Sequence, residues 1–204
     1  MLIFIDLLMA ASLIALGVLL WRLKKLQDTH KTAALCIWLG AYACLANTAM
    51  LGPFIESEMV TLGTNLSVYV GFPMMALVML DLAIGWRWQR ATWGRIFLAL
   101  AAMFELMRRA EAGDVYGEFI LWACSLALLL AMFRIITEAR LKGQASQRLY
   151  IGLGFYFAFM MASLGSFNTS FALLWNGFTL LTFGGYLYFA ASTMALASPS
   201  LSPK

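Results

Sequence analysis

A chain of 204 residues that is 63% hydrophobic and 12% charged, with mean hydropathy +0.83, carries more apolar surface than a water-soluble domain of this size can hide. The formal charge of +4 would suit nucleic acid only if the basic residues formed one face; they flank apolar runs instead, as in membrane proteins. One histidine, His30, and three scattered cysteines, Cys36, Cys44 and Cys124, are too few for a bis-histidine haem or a Cys/His zinc centre, so no metal or cofactor is expected.

A helix needs about 20 largely apolar residues to cross about 30 Å of hydrocarbon. The first such run, 2–22, precedes its basic cluster of Arg22, Lys24 and Lys25, the order expected of an uncleaved anchor with its N-terminus outside. His30 and Lys31 fall in the basic loop before the second run, 32–54. The third, 62–86, ends at Trp86, Trp88 and Trp93, residue types that favour a membrane interface. The fourth, 95–113, is the weakest, because Glu105, Arg108 and Arg109 follow a short apolar stretch, Ile96 to Phe104. The remaining runs are 117–137, 149–167 and 170–196. Long segments of alternating polarity are absent, so the runs read as helices rather than barrel strands. The expected fold is an all-α integral membrane protein, a single polytopic domain of seven transmembrane helices over residues 1–204.

The basic residues orient it. Arg22, Lys24, Lys25, Lys31, Arg87, Arg90, Arg95, Arg134, Arg140, Lys142, Arg148 and Lys204 share one side, and only Arg108 and Arg109 fall on the other. That second side carries Asp6, Glu56, Glu58, Glu111, Asp114 and Glu118. Positive residues stay inside, which puts the N-terminus out and the C-terminus in the cytoplasm and requires an odd number of spans. Were the fourth helix not to cross, the loop from Arg140 to Arg148 would face outward against that rule. A bacterial inner membrane is the expected location.

Residues 1–90 and 117–196 show loose parallels on either side of the helix 95–113. Arg22-Leu23-Lys24 is matched by Arg140-Leu141-Lys142, and Gly40, Tyr42 and Gly52 by Gly154, Tyr156 and Gly165. Asn65 in the third run is matched by Asn176 in the seventh. A 3+1+3 arrangement of two parallel repeats would follow. In topology, length and the Asn65/Asn176 pair the chain resembles the SWEET sugar carriers and the wider PQ-loop group, in which such asparagines face the substrate. It departs from them in lacking the Pro-Gln motif and in having no second-half counterparts of Pro53 and Pro73. Microbial rhodopsins share the span count and orientation, but all five lysines lie outside the spans, which excludes retinal attachment.

Charges at membrane depth need partners or water. Glu105 with Arg108 and Arg109, at helical spacings of three and four, reads as a self-neutralising ion pair at an outer helix end, or as a carboxylate in a pore or an anion site. Asp81 would pair with Arg87 or Arg134 or, if buried at the centre, couple protons; Asp6 is expected at the interface. The neutral set Asn47, Thr48, Asn65, Ser67, Tyr69, Tyr156, Ser163, Asn176, Thr179 and Tyr186 suits helix-to-helix hydrogen bonds or a central polar cavity. No Ser–His pair, histidine cluster or paired aspartates suggest catalysis; an enzyme would need Glu105, Asp81 and the arginines to converge. The favoured reading is a small-molecule carrier or channel with a midplane site of Asn65, Asn176, Trp175 and Tyr69. A non-catalytic subunit or assembly factor, a membrane sensor and a phage-type lysis protein are the alternatives. Expected partners are the bilayer and a small molecule, with a membrane-protein partner or a second copy admitted and nucleic acid not.

Overall fold

In a computed structural model of the chain, described over residues 2–22, 28–50, 57–141, 145–163 and 170–197, every regular element is helical. Lys24, Lys25, Gly52, Pro53, Glu56, Lys142, Gly165 and Lys204 lie outside the described residues, as do the side chains of Glu58, Asp114, Arg140 and Arg148. The order is α1 (Leu2–Arg22), α2 (Asp28–Met50), α3 (Ser57–Leu66), a π turn (Ser67–Gly71), α4 (Phe72–Ile84), α5 (Arg90–Arg109), α6 (Gly113–Leu141), α7 (Ala145–Ser163) and α8 (Ser170–Ala197). Because α3, the π turn and α4 form one continuous rod, the described residues make seven rods, one on each apolar run. Among the described residues three stretches are long and apolar enough to cross a membrane: Ile3–Arg22, Thr61–Ile84 and Val115–Thr137. The helix α5 is not among them, since Arg90, Arg95, Glu105, Arg108 and Arg109 crowd its length.

The third rod widens for a local reason. Pro73 has no N–H and its ring crowds the carbonyl four residues back, so a regular turn cannot run through it. The chain relaxes to a π turn in which the Phe72 N–H donates to the Ser67 carbonyl, five residues back. All five residues from Ser67 to Gly71 are buried.

Two boundaries differ from the sequence reading. α2 begins at Asp28, so His30 sits in the first turn of a helix and not in a loop. The fourth rod starts at Arg90 rather than 95. Gly85 ends α4 in the left-handed conformation (φ 80°), and the Arg90 N–H at the head of α5 finds an acceptor in the Asp28 carboxylate, at 3.1 Å.

The rods pack in a ring, α1 on α2, α2 on α4, α4 on α6, α6 on α7, α7 on α8 and α8 back on α1, with α2 also against α8. α5 lies outside the ring against α6, α2 and the π turn. Glycines allow the close contacts. A methyl group at Gly17 would overlap the Trp38 indole, and one at Gly184 would overlap Ile37 and Leu16, where α8 meets α2 and α1. Leu13, Ile37, Met75, Leu121, Leu180 and Phe183 fill the interior.

Large apolar side chains also cover the outside. Phe119, Trp122, Leu126, Leu130 and Phe133 form a continuous exposed stripe along α6, with Phe133 75% exposed, and Phe4, Leu8 and Val18 do the same on α1. Stripes at helical spacing with no protein against them are unfavourable in water and cost nothing against lipid chains.

Candidate functional site

The most deeply buried polar contact joins the π turn to α8. Asn176, 1% exposed, donates from Nδ2 to the Ser67 hydroxyl at 2.7 Å, while its own Oδ1 is buried and accepts nothing from the described protein. Asn176 lies six residues into α8, roughly 9 Å along the axis from its start. Next to it Thr179, fully buried, returns its hydroxyl to the Trp175 carbonyl at 2.7 Å.

The residues expected around this point are only partly brought together. Asn65 is half-buried, and Ser67, two positions further on, is the one that meets Asn176. Tyr69 leaves the π turn toward α5 and α6, where its ring stacks on Phe104 at 4.2 Å and lies 6.3 Å from Tyr116. Trp175 packs into an aromatic cluster with Phe157 and Phe178, at 5.3 and 6.1 Å. Nothing in the sequence ranks Ser67 above Asn65, because the choice depends on how far the π turn rotates the rod.

The charged residues behave individually. Glu105 accepts from Arg108 Nε at 2.8 Å and Arg108 Nη2 at 2.9 Å, and from Arg109 Nε at 2.8 Å. All three side chains are well exposed, as a self-neutralising pair at a helix end requires. Asp81 is 2% exposed and does not pair with Arg87 or Arg134. It accepts instead from the Thr29 hydroxyl at 2.7 Å and from the Trp88 N–H at 3.2 Å. Asp6, expected at an interface, is 1% exposed and accepts from Asn47 Nδ2 at 2.8 Å, because α1 and α2 close over it. Asp81 and the arginines lie near opposite ends of the bundle, so these charges do not converge.

At the Asp81 end a cleft of about 620 Å³ opens between α1, α2, α4 and α5. Asp28, Lys31 and Arg90 stand at its mouth, and Trp21, Trp38, Phe97 and Met74 are among its walls. Trp93 also lines it, 3% exposed, with a buried indole N–H that has no acceptor among the described residues. Beside the mouth Trp86 stacks on Trp88 at 5.0 Å, and Trp93 meets Trp88 edge-to-face at 5.2 Å. Among the described residues no group of three or more His, Cys, Asp or Glu side chains is placed to hold a metal ion.

No protein-family model matches the chain, and neither a curated protein nor a solved structure is significantly similar to it.

Proposed function

We propose that this chain is a seven-span membrane carrier for a small polar or amphipathic molecule, with its N-terminus outside and its C-terminus in the cytoplasm. The observation that carries the carrier reading is Asn176. Its amide is fully buried, donates to Ser67 at a π turn, and leaves a carbonyl oxygen without a donor among the described residues. Buried polar atoms are nearly always satisfied, and π turns concentrate at functional sites, so an orphaned acceptor beside one suits a ligand's hydroxyl or amine.

The topology is supported by the distribution of charge. Lys31 and Arg90 share one end, tied together by the Arg90–Asp28 and Thr29–Asp81 contacts, while Arg108 and Arg109 lie at the far end of α5. The repeat is supported by the order of packing, since α1–α2, α2–α4 and α4–α6 are answered by α6–α7, α7–α8 and α8–α1. The α2–α8 contact has no counterpart of like extent among the described residues.

Purified protein in liposomes, screened by thermal shift against sugars, polyols, amino acids and small aromatic amphiphiles, supplies hits for radiolabelled uptake. Asn176→Ala and Ser67→Ala are expected to lower uptake at least tenfold with membrane abundance unchanged. Asn65→Ala, away from the amide, is expected to cost less. Undiminished uptake in both Asn176→Ala and Ser67→Ala sinks the carrier reading. So does a stoichiometric membrane partner that co-purifies while no solute is moved, which is the outcome a complex subunit would give.

A further inference from the structure

We propose that the cleft between α1, α2, α4 and α5 holds one anionic phospholipid of the inner leaflet, with its phosphodiester at Lys31 and Arg90 and an acyl chain along the apolar wall. The inference rests on the topology proposed above, which makes this end cytoplasmic, and is independent of the carrier site at Asn176.

The shape of the cleft is the first argument. Its lining begins at Asp28 and Lys31 in the first turn of α2 and reaches Leu39 on the same helix. Eleven residues of helix span roughly 16 Å, about half of a hydrocarbon core of about 30 Å. The cleft therefore runs from an interface through about one leaflet, charged at one end and apolar at the other. Leu35 and Leu98 flank it, 50% and 68% exposed, so the apolar part is open sideways to surrounding lipid. A volume near 620 Å³ falls within the range of ligand pockets.

The second argument is charge. Neither Lys31 nor Arg90 forms an ion pair among the described residues, and the one carboxylate at the mouth, Asp28, already accepts the Arg90 N–H. Among the lining residues two cations against one carboxylate leave a net charge of +1, matched by a phosphodiester carrying a single negative charge. The third argument is Trp93. The Trp93 side chain lines the same space, and its buried indole N–H, which can only donate, has no acceptor among the described residues. The adjacent Trp86 and Trp88 suit the headgroup level, where indole rings partition.

Gly94 provides a clean probe. A Cβ added there meets no atom within 4 Å, and Gly94 lines the cleft, so a large residue starts from open space and takes up cleft volume. Delipidated protein in detergent is titrated with phosphatidylglycerol, phosphatidylcholine or glycerol phosphate and followed by native mass spectrometry and thermal shift. The expected result is one retained phosphatidylglycerol per chain and at least tenfold weaker retention of phosphatidylcholine. Lys31→Gln/Arg90→Gln and Gly94→Trp should each weaken phosphatidylglycerol binding at least tenfold, and Arg108→Gln/Arg109→Gln should leave it unchanged. Equal retention of both lipids, equal loss in the arginine pair at the far end, or full binding in Gly94→Trp overturns the proposal. An equal shift from glycerol phosphate alone overturns it as well, since the acyl chain would then contribute nothing. Solute uptake is not a readout here, so either outcome leaves the Asn176 reading to its own test.

Discussion

Asp81 and Glu105 are carboxylates near opposite ends of the bundle, and their surroundings give them different consequences on mutation. Asp81 is enclosed and held by the Thr29 hydroxyl and the Trp88 amide. Asp81→Ala strands both donors, and an unmade buried hydrogen bond costs roughly 1–3 kcal/mol, which reversible unfolding in mixed micelles would report as a lowered stability. Glu105 is exposed beside Arg108 and Arg109, where solvent screens the pair, so Glu105→Gln should leave the same unfolding curve unchanged. The Glu105 contact was legible in the sequence because its partners are three and four residues away on one helix. The Asp81 contact was not, because Thr29 lies 52 positions away and becomes a neighbour only when α2 packs on α4. The same holds for Asn176, whose partner is 109 positions away.

Among the elements, the third rod and α8 set the geometry of the interior. The π turn ahead of Pro73 decides which of Asn65 and Ser67 faces α8. α8 can reach α1 and α2 only because Gly184 has no side chain where Ile37 and Leu16 press against it. Gly184→Leu would drive an isobutyl group into that contact, and overpacking of this kind costs roughly 1–3 kcal/mol. Thermal unfolding in detergent should show the loss, whereas Gly152→Leu, facing open space on α7, should not. The helix α5 is the opposite case. Its charges keep it off the ring, and it is held to the π turn largely by Phe104 stacking on Tyr69.

For the whole molecule the decisive measurement is topology. With the native cysteines replaced, a single cysteine at Ala112, in the turn between α5 and α6, is expected to react with a membrane-impermeant maleimide from outside. A fluorescent reporter fused after Lys204 should light up in the cytoplasm. Protection of Ala112→Cys in intact cells, with labelling only after permeabilisation, would show that α5 does not cross and would leave six spans. The seven rods and the spacing of the apolar runs were readable from the sequence, because an apolar run removed from water has one simple demand to meet: every buried backbone group is satisfied within its own helix. That demand is local, so composition and length along the chain are enough to meet it. Which faces of the rods meet, that Asn176 finds Ser67, that Asp6 and Asp81 are enclosed, and that a charged-mouthed cleft opens beside α5 were decided only in three dimensions. Those outcomes depend on the rotation and depth of each rod against its neighbours, and nearly uniform apolar helices carry little sequence periodicity from which either could be read.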